Sequence, residues 1–111
     1  MTKINTRTKA VDKALSDIDS DFVKALAKPA RMEILKHLII LGASDVKTLA
    51  ELMPQDRSVI SRHLSLMEKA GILTASKQGR HVMYQVDGAS TLQKSEALVD
   101  SIRKCLALGC C

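Results

Sequence analysis

Residues 58–73 read SVISRHLSLMEKAGIL. Within and just before this stretch, Val59, Ile60, Leu64, Met67 and Ala70 recur at the three- and four-residue spacing of one helix face. Gly71 follows as the residue type that commonly closes a helix. The pattern predicts a helix over about 56–70. Upstream, Ser44 or Asp45 is suited to cap a helix running to about Met53, with Val46, Leu49, Ala50 and Met53 inward. Pro54-Gln55-Asp56 then makes a short turn. Two helices joined so briefly have the proportions of a DNA-reading motif. Downstream the period changes from helical to alternating. Ile72–Ala75 reads as a strand and Gln78-Gly79 as a turn. Val82, Tyr84 and Val86 alternate with His81, Met83 and Gln85 in a second strand. A lone hairpin is marginal in water, so this one must pack on helices.

Working outward, Val11, Leu15, Ile18, Phe22, Ala25 and Leu26 predict an amphipathic helix over about 6–27, with a break near Asp19-Ser20-Asp21. Pro29 suits the first turn of another helix. Its broad buried face would take Met32, Ile34, Leu35, Leu38, Ile39 and Leu41, and Gly42 would stop it. A last helix is predicted over about 91–108, with the apolar line Leu92, Leu98, Val99, Ile102, Cys105 and Leu106. The fold class is therefore mainly α with a small β-hairpin. At 111 residues the chain fits one domain, 1–111.

Apolar residues make up 46% of the chain and charged residues 26%, which excludes a disordered tail or a fibre. The longest apolar run, Leu38–Leu41, is far short of a membrane span. The opening MTKINTRTKAV lacks the apolar stretch of a secretory signal, so a cytosolic location and reduced thiols are expected. The net charge is +5, and its placement says more than its size. Residues 57–81 carry Arg57, Arg62, Lys69, Lys77 and Arg80 against Glu68 alone, a local +4. Such a concentration is the footprint of a polyanion-binding face. With Phe22 and Tyr84 the only aromatics, there is no stacking platform for single-stranded nucleic acid.

The order helix, helix, helix-turn-helix, hairpin, helix resembles the ArsR/SmtB family of winged-helix repressors. The resemblance covers about residues 20–87. It rests on KPARMEILKHL and on VKTLAELMPQDRSVISRHLSLMEKAGILTASKQGRHVMYQV, above all on SVISRHLSLMEKAGIL followed by a basic hairpin with GR near its tip. It implies a winged helix-turn-helix homodimer built from the first and last helices (about 6–27 and 91–108). It also implies a palindromic duplex operator, and release by a metal or other inducer. The apolar stripes of the terminal helices agree with pairing there. On the helix over 56–70, Gln55, Arg57, Ser58, Ser61, Arg62 and His63 fall on or beside the exposed side, in the half that enters a major groove. Arg suits guanine, Gln suits adenine, and Ser suits bases or phosphates. His63 could instead pack against the hairpin or the partner helix. Lys77, Gln78 and Arg80 near the hairpin tip can reach phosphates or a minor groove.

All three cysteines lie in the last seven residues, CLALGCC. On a continuous helix Cys105, Cys110 and Cys111 would point apart, at 100° per residue. If Gly109 is instead the left-handed C′ residue, Cys105 is C3 and Cys110 is C″, positions that touch in a Schellman ending. Three thiolates could then converge, a donor set for soft or borderline ions. The last helix has no histidine, so it does not match the family's interfacial zinc site. VKTLAEL lacks the cysteine pair of one arsenic-sensing branch. The chain looks more like the branch whose arsenic ligands lie in a cysteine-rich C-terminal region. That resemblance implies arsenite or methylarsenite as inducer, with antimony and bismuth alike. Cadmium or lead, or thiol oxidation, is the alternative; a metallochaperone role fits the concentrated charge poorly. No nucleophile–base pair, phosphate loop or carboxylate pair suggests an enzyme, a small-molecule substrate or a catalytic cofactor.

Overall fold

The computed structural model describes residues 2–109. Six helices and one hairpin follow in the order α1 Thr2–Ser16, α2 Ser20–Leu26, α3 Pro29–Leu41, α4 Val46–Leu52, α5 Arg57–Lys69, β1 Leu73–Gln78, β2 His81–Val86 and α6 Gly88–Ala107. They divide into two compact units, one of Met1–Ser20 with Leu92–Cys111, the other of Asp21–Thr91. No helix among the described residues is long and apolar enough to cross a membrane.

In the Asp21–Thr91 unit the core gathers Phe22, Ala25, Ile34, Leu38, Leu49, Ile60, Leu64, Met67, Ile72 and Leu73. Burying one such aliphatic or aromatic side chain contributes about 1.5–3 kcal/mol, so this unit carries most of the apolar stabilisation. Pro29 opens α3, where its missing N–H needs no partner. Gly42, at φ +81°, ends it and donates its N–H to the Leu38 carbonyl at 2.9 Å. The expected face of α3 is corrected. Ile34 and Leu38 are buried, but Met32, Ile39 and Leu41 are each more than half exposed. At 100° per residue the run Leu38–Leu41 cannot share one face. The inward stripe is 31, 34 and 38, and it places Arg31, at 8% exposure, inside.

Asp45 caps α4, accepting the Thr48 N–H at 2.9 Å. The hairpin also departs in detail from the sequence expectation. β1 runs to Gln78, which pairs with His81, so the two-residue turn is Gly79-Arg80. Gly79 has φ +62° and Arg80 is not left-handed, the pattern of a II′ turn. Tyr84 is buried, whereas Val82 is 41% exposed, because it pairs with Lys77 near the free end of the hairpin. A feature absent from the sequence reading pins β2: Ser44 and Tyr84 exchange both backbone hydrogen bonds, at 2.9 and 2.8 Å.

In the other unit, the helix expected over 6–27 begins earlier and is interrupted. The Ser16 hydroxyl donates to the Lys13 carbonyl, and the Ile18 N–H reaches back only to Leu15, which tightens and ends α1. Likewise α6 begins at Gly88 rather than near 91, because Asp87 accepts the Ser90 N–H at 3.0 Å as an N-cap. Its far end closes at Gly109, whose φ is +71° and whose N–H donates to the Leu106 carbonyl at 3.0 Å. Arg7 of α1 donates to the Gly109 carbonyl at 2.9 Å, a cation at a helix C-terminus.

Candidate nucleic-acid interface

Helix α5 carries the expected reading residues in distinct settings. Arg57, Ser58 and Arg62 are exposed, and Ser61 is half-buried. Gln55 is half-buried in the α4–α5 turn, its Oε1 enclosed with no partner among the described residues. His63 faces inward: its Nδ1 accepts a hydrogen bond from Arg31 Nε at 3.1 Å. Burial holds the imidazole below its ordinary pKa, and the nearby charges of Arg31, Lys28 and Arg62 push the same way. His63 is thus a neutral acceptor near pH 7, and only its Nε2 remains for other contacts. Lys77, Gln78 and Arg80 are exposed at the end of the hairpin.

The hairpin is oriented by a second polar contact. His81 Nδ1 lies 3.1 Å from Asp45 Oδ2, so the start of β2 is tied to the cap of α4. Hydrogen bonds from Thr48, side chain first and then backbone, hold the Asp45 carboxyl below its usual range despite some burial, and the charge of His81 adds to this. Burial pushes the Tyr84 phenol up, with the Glu68 charge acting in the same sense.

Sequence reasoning missed Arg31, Lys24 and Lys28. Arg31 Nη1 donates to the Lys24 carbonyl at 2.6 Å, so one buried guanidinium ties α2, α3 and α5 together. The signal was its place on the 31–34–38 stripe, where a charged residue must find internal partners. Lys24 and Lys28 lie outside the 57–81 cluster, and only the fold brings them beside α5. Among the described residues, Lys24, Lys28, Arg57, Arg62, Lys69, Lys77 and Arg80 form no ion pair.

Of the expected thiol ligands, Cys105 is a buried free cysteine on α6. Cys110 and Cys111 lie outside the described residues. Among the described residues, no three His, Cys, Asp or Glu side chains gather as a metal site. The end of α6 does give Cys105 the C3 position relative to Gly109 as C′, with the Gly109-to-Leu106 bond of a Schellman ending.

A family model described as HVO_A0114 matches residues 25–88. The arsenical resistance operon repressor of Escherichia coli (strain K12) is 38% identical over 63 residues, covering 57% of this chain and 54% of that protein. A crystal structure described as a possible transcriptional regulator for arsenical resistance is 35% identical and superposes with a TM-score of 0.64, covering 74% of this chain and 83% of that one. The homodimeric winged helix-turn-helix DNA-binding domain of a possible ArsR-family regulator from Mycobacterium bovis is 25% identical, with a TM-score of 0.64, covering 86% and 87% of the two chains. Across the curated relatives, the match spans from 51% to 75% of their length.

Proposed function

Because this chain belongs to the ArsR/SmtB family of winged-helix transcriptional regulators, which are not enzymes, we propose that it is a cytoplasmic homodimeric repressor released from duplex operator DNA by trivalent arsenicals. The observation that carries the DNA reading is the set of cations on and beside α5 and at the hairpin tip that have no ion pair among the described residues. Arg57, Ser58, Ser61 and Arg62 would enter the major groove, with Gln55 at the entry turn. Lys77, Gln78 and Arg80 would hold the flanking backbone. His63 contributes by fixing α5 against Arg31, with its Nε2 the atom left to meet DNA. A homodimer presents two such helices to a palindrome about one helical turn apart.

The dimer seam would use α1 and α6. Leu15, Ile102 and Leu106 are each about half exposed in the single chain, and covering them is worth more than leaving them in water. The inducer would meet Cys105 with Cys110 and Cys111. The left-handed Gly109, with its N–H on the Leu106 carbonyl, has the geometry that opens a Schellman ending, and this supports a shared sulfur site. Thiolates suit trivalent arsenic, and the likeness to an arsenical resistance repressor supports that choice of inducer. Because Cys105 lies on α6, the helix of the seam, binding there would alter the spacing of the two reading helices.

The test is fluorescence anisotropy on an operator duplex selected from a randomised pool with the full chain. Arsenite and methylarsenite should each weaken binding, and a Cys-to-Ser series should separate them, three thiols for the inorganic ion and two for the methylated one. Release by peroxide but not by arsenicals at matched concentration would replace the arsenical reading with thiol oxidation.

A further inference from the structure

Beside α5 the structure has a groove of about 480 Å³ that includes Lys24, Arg62 and Lys69, with Asp21 as the acid at its rim. A second hollow of about 380 Å³ takes in Lys28, Arg31 and His63 and shares Arg62 and Leu66 with the first. The two hollows adjoin at Arg62 and Leu66 and lie along the flank of the recognition helix as a two-part channel. Its walls carry five cations against one carboxylate.

Two features make this more than a solvated basic surface. The first is Arg31. A guanidinium at 8% exposure ordinarily sits against a carboxylate. Here its hydrogen bonds go to the Lys24 carbonyl and to the His63 imidazole, both uncharged acceptors. Its charge therefore has no carboxylate partner among the described residues, and it borders the second hollow. The second is rigidity. The same guanidinium fixes the backbone at Lys24 and the ring of His63, so the α2 and α5 walls are held in place before any ligand arrives. The hydroxyls of Ser61 and Ser65 line the first groove and add neutral donors suited to phosphate oxygens.

We propose that this channel seats the DNA sugar-phosphate backbone flanking each half-site, with Lys24 and Lys28 as phosphate ligands and Arg31 as the buried charge behind them. The inference rests on the operator-binding reading and extends it to residues outside the helix-turn-helix and the hairpin. A phosphodiester strand fits because it offers a row of single negative charges to a row of cations. Contacts of this kind add affinity and register without reading sequence.

The test is a salt titration of duplex binding by the full chain, wild type and with Lys24→Gln, Lys28→Gln or both. Each variant is checked for unchanged heat unfolding, and Lys36→Gln on the exposed side of α3 serves as the charge-matched control. Each single groove variant should lower the slope of log affinity against log salt by about two, one contact from each protomer. Between 50 and 200 mM salt that reduces the fall in affinity by about twelvefold per substituted lysine position. Selected and scrambled duplexes should weaken by the same factor. A slope equal to that of Lys36→Gln overturns the proposal. So does phosphate-dependent NMR shifting of Lys24 and Ser65 with no change in slope, which would assign the channel to a small anion. Equal wild-type affinity for selected and scrambled duplexes would defeat the operator reading alone, because the slope on either duplex still tests the groove.

Discussion

In the Asp21–Thr91 unit, Phe22, Ile34, Leu49, Ile60, Leu64 and Ile72 are closed to solvent, while Lys24, Lys28, Arg62 and Lys69 stand without ion pairs among the described residues. In the unit of the terminal helices the balance differs. Lys94 pairs with Asp19 at 2.6 Å and Lys104 with Asp100 at 3.2 Å, while Leu92, Ile102 and Leu106 remain about half exposed or more. The first unit holds most of the closed core and leaves a cluster of cations unpaired among the described residues, although Ile39, Ile40 and Leu41 at the end of α3 stay exposed. The second pairs Lys94 and Lys104 with carboxylates and leaves apolar side chains of α6 open to a partner. The difference matches a polyanion on one unit and a second copy of the chain on the other.

The contrast predicts unequal responses to similar truncations. Leu64→Ala in the closed core should cost about 2–5 kcal/mol, read as a lowered urea midpoint. An effect below about 1 kcal/mol would mean that the core around α5 is looser than its burial implies. Asp45→Ala removes the cap of α4 and the partner of His81. It should cost about 1 kcal/mol, most of it from the cap, since exposed ion pairs contribute little. Ile102→Ala should change the stability of a dissociated chain by no more than about 0.5 kcal/mol. It should nevertheless raise the dimer dissociation constant at least about tenfold, because about 1.5 kcal/mol or more of burial would be lost per protomer. Sedimentation at micromolar concentration checks this, and an unchanged constant would move the seam elsewhere.

The smallest effect concerns pH. His63 has its folded pKa below the ordinary 6.5, because burial and the neighbouring cations disfavour its charged form. The folded state therefore binds fewer protons than the unfolded one in that window. Its contribution is complete above pH 6.5 and is lost as pH falls through that value towards the folded pKa. His63→Asn keeps an acceptor for Arg31 but does not titrate. Its melting temperature should fall less than that of the wild type between pH 6.5 and 5. Asp45 acts in a separate range: its folded pKa lies below 3.8, so its contribution is present above that value and is lost only at lower pH.

Local periodicity and turn chemistry made much of the fold legible. The spacing of Val59, Ile60, Leu64 and Met67 gave α5, and Pro29, Gly42 and Gly71 marked helix ends. Other features depended on tertiary partners. A run such as Leu38–Leu41 is apolar throughout, and only the neighbours decide that Leu38 is inside and Ile39 outside. Asp87 moved the start of α6 because it found the Ser90 N–H. The Ser44–Tyr84 bridge joins residues forty positions apart, which no local pattern announces. For the candidate interface, charge clustering pointed to Arg57, Arg62, Lys77 and Arg80. It could not reveal Lys24, Lys28 or Arg31, which lie in a stretch of nearly balanced charge and reach α5 only through the fold.

The central claim is that thiols at the end of the terminal-helix unit control DNA binding by the other. The most direct test measures operator affinity with and without arsenite, for the full chain and for the chain lacking residues 110–111. Arsenite should weaken binding by the full chain about 5–150-fold, a coupling of about 1–3 kcal/mol, and operator DNA should weaken arsenite binding by the same factor. The shortened chain should bind the operator as tightly as the full one and respond to arsenite weakly or not at all. Equal release of the shortened chain would contradict the account.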